Sequence, residues 1–117
     1  MGFRVMIVED SPTTRSMLIS AIEDLGDCTV VEAANGFEAL KKLPEFPPDL
    51  LITDINMPDI NGLELIRFIR ENERYVKTPL IIITTESSAR DRERGLALGA
   101  NSYLVKPFAP SVLKDLV

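Results

Sequence analysis

The chain has 117 residues, a formal net charge of −5, a single cysteine and no histidine. This length fits one domain, spanning residues 1–117, with a core that needs no disulfide, and one cysteine cannot form an intrachain one. The negative charge argues against nucleic-acid binding by this chain alone, because DNA would repel it. With no histidine, a Ser-His-Asp triad and a histidine zinc site are excluded within the chain, and any phosphohistidine must belong to a partner. No signal-peptide pattern and no membrane-length apolar run occur, so we expect a cytoplasmic protein without a membrane contact.

In chain order, a short apolar strand over 4–8 comes first. The helix that follows begins with Ser11 as N-cap and Pro12 at the first helical position, both preferred there. Gly26 is suited to end it. The predicted buried stripe of this helix comprises Leu18, Ala21, Ile22 and Leu25.

Strand and helix patterns continue to alternate, which indicates an α/β domain with a parallel sheet and helices on both faces. The later predicted elements are strands over 28–33, 49–53, 80–84 and 102–105, and helices over 37–43, 62–73, 88–98 and from about residue 109. The helix over 88–98 is polar in its first half and contains Gly95, which costs about 1 kcal/mol of helix propensity. It is therefore a candidate mobile element.

Three carboxylates follow two of the predicted strands. Glu9 and Asp10 come after the first strand, and Asp54 comes after the third. Because the carboxyl ends of parallel strands share one edge of the sheet, where ligands bind, these side chains should meet. Clustered negative charges repel one another unless a cation lies between them. The pattern predicts a site for a hard divalent ion, Mg²⁺ or Mn²⁺ in its place, and phosphoryl chemistry.

Asp54 is the candidate nucleophile, since a carboxylate can form an aspartyl phosphate. Phosphoryl transfer needs mainly positioning and charge neutralisation. Glu9 and Asp10 would hold the metal with Asp54, and the backbone carbonyl of Asn56 could complete the ligands. Lys106, at the end of the fifth strand, would supply a fixed cation, and Thr84, at the end of the fourth, a hydroxyl donor.

Tyr103 lies three residues before Lys106. The simpler interpretation is an aromatic side chain at the sheet edge with its hydroxyl in water. The alternative is a rotameric switch, in which Tyr103 fills space that Thr84 vacates when it moves toward a phosphoryl group.

Together these residues resemble the receiver domain of two-component response regulators, especially the single-domain chemotaxis type. The matching motifs are Val8-Glu9-Asp10, the run from Asp54 to Gly62, Thr84-Thr85-Glu86, Gly99-Ala100, Tyr103 and Lys106-Pro107-Phe108. The resemblance implies a doubly wound, flavodoxin-like fold with five strands in the order 2-1-3-4-5.

The resemblance also implies that Asp54 accepts a phosphoryl group from a histidine kinase or phosphotransfer protein. Mg²⁺ would be bound by Asp10, Asp54 and the Asn56 carbonyl. Thr84 and Tyr103 would couple phosphorylation to the face of helix four, strand five and helix five, which would control a downstream protein or a fused output domain.

Asn56 and Glu86 stand two residues after Asp54 and Thr84, where side chains in this family tune hydrolysis of the aspartyl phosphate. This pair resembles the chemotaxis type, so we predict a short-lived phosphoryl group. Thr85 stands where the family often has a smaller residue, which would narrow access to Asp54. Because the sequence ends at Val117, helix five would be short, and an output domain could follow in a longer protein.

Two other functions share parts of this pattern. A Mg²⁺-dependent phosphohydrolase with an aspartyl intermediate usually has a second acid two residues after the nucleophile, where this chain has Asn56. A degenerate receiver would bind partners without phosphorylation, but the complete set of acids with Thr84 and Lys106 argues against it. The expected protein is therefore a phosphoacceptor switch rather than an enzyme that turns over a substrate.

Overall fold

The computed structural model describes residues 3–55, 62–85 and 89–106. Within these ranges it describes only the backbone of Thr84, Thr85, Ala89, Asp91 and Lys106. The strands are β1 (Phe3–Val8), β2 (Cys28–Ala33), β3 (Leu50–Asp54), β4 (Leu80–Thr85) and β5 (Ser102–Lys106). The helices are α1 (Pro12–Glu23), α2 (Gly36–Lys42), α3 (Gly62–Glu71) and α4 (Ala89–Leu98). The predicted fifth helix lies outside the described residues.

The five strands form one parallel sheet in the order β2-β1-β3-β4-β5. This order confirms the predicted doubly wound α/β fold. The reversal of strand order occurs between β1 and β3, which are neighbours in register with Val8 opposite Thr53. Sites in folds of this kind form at the carboxyl ends of the strands beside that reversal.

Helices cover both faces of the sheet. Alternate residues of each strand point to opposite faces, so a strand can contribute apolar side chains to both. In β1, Val5 and Ile7 belong to an apolar cluster with α1, whereas Met6 and Val8 belong to a second cluster with α2 and α3. All five residues of β3 are buried. β1 and β3 therefore have apolar neighbours on both sides, as their aliphatic composition predicted. The prediction does not hold for the edge strand β2, in which only Ala33 is buried.

The start of α1 confirms the sequence prediction, and its end corrects it. The Ser11 side chain accepts a hydrogen bond from the Thr14 amide, with Pro12 directly after the cap. The helix ends at Glu23, however, and Leu25 lies beyond it with 42% of its surface exposed. The predicted apolar stripe was wrong at Leu25, because the chain has left the helix there and turns through Gly26 at a positive φ of 93°.

Two other boundaries differ from the sequence prediction, and the first of them belongs to the site. Asp54 is the last residue of β3 and pairs with Ile83 of β4, so the acid belongs to the sheet and does not follow it. At the other end of the next element, α3 stops at Glu71, two residues early. The Asn72 side chain there accepts a hydrogen bond from the Arg74 amide, which offers the backbone a turn in place of another helical residue.

A partly exposed hydrogen-bond network that the sequence did not predict joins α3 to the amino end of β4 and the carboxyl end of α4. The Arg70 guanidinium donates hydrogen bonds to the carbonyls of Thr78 (2.7 Å) and Gly99 (2.9 Å) and to the Asn101 side chain (2.9 Å). The same Asn101 oxygen accepts from the Leu80 amide. Burial lowers the pKa of Arg70, which remains charged at physiological pH because its unperturbed value is so high.

Gly62, the first residue of α3, lies directly against the end of β3. Its amide donates to the Ile55 carbonyl at 2.9 Å. A Cβ at Gly62 would overlap the Asp54 carbonyl oxygen and lie 2.7 Å from the Ile55 Cα. Because both obstacles are backbone, a side chain at this position would displace Asp54.

Gly62→Ala is expected to lower the free energy of unfolding by at least about 2 kcal/mol, since overpacking against backbone is costly. Gly26→Ala is the matched control: a Cβ there has open space and meets only the backbone strain of a positive φ, about 1 kcal/mol. Urea unfolding of both variants measures the difference. An equal loss of unfolding free energy in the two variants would show that the fold does not require the close approach of Gly62 to the end of β3.

Candidate functional site

Three carboxylates meet at the carboxyl edge of the sheet. Glu9, Asp10 and Asp54 each place an oxygen within 4.8 Å of the others. Glu9 is fully buried and Asp54 is 5% exposed, whereas Asp10 is exposed. Two of these charges therefore lie largely out of water, with the third at the opening to solvent.

The register of the sheet brings these acids together. Val8 pairs with Thr53, so Glu9 and Asp54 each occupy the next position of neighbouring strands. The Glu9 amide donates to the Ala33 carbonyl of β2, and the Ile55 amide donates to the Ile83 carbonyl of β4. The sheet ladder thus continues on both sides of the acids and holds their backbones in place.

The turn from β1 into α1 is held by contacts that the sequence analysis missed. The Ser11 amide donates to the Glu9 carboxylate at 3.1 Å. The Arg15 guanidinium donates to the Glu9 backbone carbonyl at 2.7 Å and to the Glu32 carboxylate at 2.8 Å. The available signal was an arginine in the first turn of the helix after the acidic pair, which alone predicts no contact.

The donor set fits a hard divalent cation. All three side chains offer carboxylate oxygens, which Mg²⁺ and Mn²⁺ accept as ligands. Two like charges about 5 Å apart repel by about 3 kcal/mol at an effective dielectric constant of about 20, so a cation between them has a large repulsion to offset. Asp10 is exposed, which also leaves room for the water molecules that Mg²⁺ retains.

The other predicted site residues are placed in part. The backbones of Thr84 and Lys106 lie at the carboxyl ends of β4 and β5, on the same edge as the acids, with Thr84 opposite Val105 and Lys106 opposite Thr85. Their side chains are outside what the structure describes. Asn56 and Glu86 lie outside the described residues altogether.

Tyr103 lies on β5 opposite Ile82, with 40% of its surface exposed. The Arg92 guanidinium of α4 lies over its ring, 4.9 Å from the centroid, within the range of a cation–π contact. On the same face, α4 approaches β4 closely at Gly95, where a Cβ would lie 2.6 Å from the Ile82 side chain. The ring thus lies at the surface under a residue of α4.

A family model for the response regulator receiver domain matches residues 5–117. The chain belongs to this family. Chemotaxis protein CheY1 of Helicobacter pylori is 41% identical to the receiver over 113 residues, which cover 96% of this chain and 91% of that protein. The recognition of a chemotaxis-type receiver from the sequence is therefore confirmed.

Solved structures agree with this assignment. Chemotaxis protein CheY4 of Vibrio cholerae superposes with a TM-score of 0.89 at 38% identity, covering 99% of this chain and 97% of that one. The receiver domain of a sensor histidine kinase from Pseudomonas aeruginosa has a TM-score of 0.88 at 29% identity, covering 99% of this chain and 94% of that one. Its crystal structure contains a magnesium ion coordinated in the active-site cleft.

The protein is thus a CheY-like receiver domain of two-component signalling, a class of signalling switches. Its acidic pocket is of the kind at which receiver domains bind Mg²⁺. Among the helices of the described ranges, none combines the length and apolar character needed to cross a membrane.

Mg²⁺ is expected to raise the thermal midpoint of the receiver, because the assembled pocket exists only in the folded state. Free Mg²⁺ at ten times its Kd would add about 1.4 kcal/mol by mass action, a rise of several degrees for a domain of this size. Differential scanning calorimetry with Mg²⁺ and with NaCl at equal ionic strength measures it. Asp10→Asn, at the exposed acid, should remove most of the rise, and an unchanged wild-type midpoint would contradict a metal pocket.

Proposed function

We propose that this receiver accepts a phosphoryl group on Asp54 from a histidine kinase or phosphotransfer protein, in a Mg²⁺-dependent reaction. The observation that carries the proposal is the convergence of Glu9, Asp10 and Asp54 within 4.8 Å at the carboxyl edge of the sheet. The magnesium ion in the cleft of the related sensor-kinase receiver supports the same metal here. Residues 1–117 would act as one phosphoacceptor domain.

The chemistry proposed for Asp54 is a single displacement at phosphorus. A carboxylate oxygen of Asp54 forms the new P–O bond as the P–N bond to the partner's phosphohistidine breaks, and the imidazole leaves. This chain has no histidine, so the donor must be a second protein or a small phosphodonor. Mg²⁺, when bound, would neutralise charge on the phosphoryl oxygens.

The surroundings of Asp54 have two consequences for the proposed reaction. The backbone contact with Gly62 and the sheet ladder hold the Asp54 backbone in place, so little ordering of the chain is needed when the donor arrives. The pocket opens to solvent at Asp10, which gives the donor and the metal a route of entry. The acceptor is thus fixed in position and yet reachable from one side.

The remaining roles follow from position on the edge. Lys106 would neutralise a phosphoryl oxygen and Thr84 would donate its hydroxyl to another, since their backbones end the neighbouring strands. The carbonyl of Asn56 would be a metal ligand. The Asn56 and Glu86 side chains would set the rate of hydrolysis and give a short-lived phosphoryl group.

For the output step, we propose that phosphorylation changes the surface of α4, β5 and the segment after residue 106. Thr84 would move toward the phosphoryl group, and Tyr103 would move inward from its exposed position beneath Arg92. A small change at Asp54 would thereby alter a surface that controls a downstream protein or a fused output domain. We propose a cytoplasmic location, with no nucleic-acid or membrane binding by this domain alone.

Treatment with a small acyl phosphate and Mg²⁺ is expected to add one phosphoryl group, detected by intact mass spectrometry. Asp54→Asn should add none, because the nucleophile is gone. Asp27→Asn, an exposed acid before β2 at the opposite edge, is the matched control and should add one group. A chelator should abolish the addition.

No added mass on the wild type would contradict phosphoacceptor function and favour a receiver that binds partners without phosphorylation. Sustained turnover of a small phosphate ester by the wild type would instead support a phosphohydrolase. Rapid loss of the added group after the donor is removed would agree with the proposed roles of Asn56 and Glu86.

Phosphorylation is also expected to reduce acrylamide quenching of tyrosine emission, because Tyr103 would leave solvent. The chain has no tryptophan and only two tyrosines, of which Tyr75 is buried. Tyr75→Phe makes Tyr103 the sole reporter. The same measurement on Tyr75→Phe combined with Asp54→Asn should show no change, and unchanged quenching in phosphorylated Tyr75→Phe would rule out the switch.

A further inference from the structure

Arg15 connects the acidic turn to the edge strand of the sheet. Its side chain leaves the first turn of α1 and reaches two acceptors with different nitrogens. Nη1 donates to the Glu9 backbone carbonyl at 2.7 Å, and Nε donates to the Glu32 carboxylate at 2.8 Å. The Arg15 side chain is 19% exposed, whereas the Glu32 side chain of β2 is 55% exposed.

The contact with the Glu9 carbonyl distinguishes Arg15 from an ordinary surface ion pair, which contributes little because water screens it. Glu9 is also held through its amide, which donates to Ala33, and through its carboxylate, which accepts from the Ser11 amide. Arg15 supplies the contact to the third polar group of the same residue. With the carbonyl held, rotation of the peptide that follows Glu9, and so of Asp10, is restricted.

We propose that Arg15 is a positioning residue of the metal pocket. By joining Glu32 of β2 to the Glu9 carbonyl, it holds the turn after β1 so that the Glu9 and Asp10 carboxylates face Asp54 around a divalent cation. This inference rests on the proposed Mg²⁺-dependent function and adds a residue that does not itself touch the metal.

Positioning and charge act in opposite directions here, which makes the inference testable. A guanidinium bound to the Glu9 backbone carbonyl would repel a Mg²⁺ ion entering the neighbouring acidic pocket, so a purely electrostatic role predicts tighter metal binding when the charge is removed. A positioning role predicts weaker Mg²⁺ binding when the two contacts of the guanidinium are lost, even though the positive charge remains. Arg15→Lys separates the two, because one ammonium cannot occupy both nitrogen positions.

The experiment is a calorimetric Mg²⁺ titration of the full chain. Arg15→Lys is expected to raise the Kd for Mg²⁺ several-fold, on the order of 3- to 10-fold, as for residues that orient metal ligands indirectly. Glu32→Gln should raise it less, because the Glu9 contact survives, and the double variant should be no weaker than Arg15→Lys. Arg67→Lys, at an exposed position of α3 far along the chain, is the matched control and should bind as the wild type does.

A second measurement separates positioning from loss of stability. The thermal midpoint of metal-free Arg15→Lys should stay close to that of the wild type, and phosphorylation by the small acyl phosphate should recover toward the wild-type rate at saturating Mg²⁺. A Kd equal to or tighter than that of the wild type would overturn the positioning role while leaving the proposed function intact. Absence of Mg²⁺ binding by the wild type itself would overturn both.

Discussion

The rest of this structure depends on one interaction, the electrostatic repulsion among three carboxylates at the carboxyl edge of the sheet. A fold that gathers Glu9, Asp10 and Asp54 within 4.8 Å, two of them buried, does so against their mutual charge. The stability of the sheet must offset this cost while no cation is bound, and it can do so because β1 and β3 are apolar on both faces. The acids therefore repel one another in a pocket whose backbone is held rigidly by the sheet. Under these conditions, a bound cation or a transferred phosphoryl group has a large effect on the energy of the pocket.

The fold and the identity of the acids could be predicted from the sequence because both depend on local patterns. Short aliphatic strands alternate with capped helices, and the rule that parallel strands share their carboxyl edge places Glu9, Asp10 and Asp54 together without knowledge of any contact. Ser11 and Pro12 marked the start of α1 for the same reason, since capping is decided within one turn. The family motifs added the strand order, which periodicity alone does not determine.

What could not be predicted depends on separation along the chain. Arg15 and Glu32 are 17 residues apart, and Arg70 meets Asn101 across 31 residues, so neither partner is visible in a local window. Gly62 was predicted only as the first residue of a helix, and only the structure shows that it must lack a side chain to let α3 lie against Asp54. The prediction that Leu25 belongs to the apolar stripe of α1 was wrong for a local reason. The helical spacing of apolar residues continues in the sequence after the helix itself has ended at Glu23. Gly95 likewise counted as a weakness of α4 from propensity, yet it allows the helix to lie close against Ile82.

The Arg70 network gives α4 two unequal ends. Its carboxyl end is tied through Gly99 to α3 and to the start of β4, and Gly99 adopts a φ of 119° that a residue with a side chain rarely adopts. Farther from that end, the described contacts of α4 are of a different kind: Gly95 lies close to the Ile82 side chain, and the Arg92 guanidinium lies over the exposed Tyr103 ring. Under the proposed output step, α4 would turn about this fixed carboxyl end while the rest of the domain stays still. Phosphorylation would then change the orientation of α4 about a defined axis. A partner would recognise the orientation of this one helix, and not a general increase in the mobility of the surface.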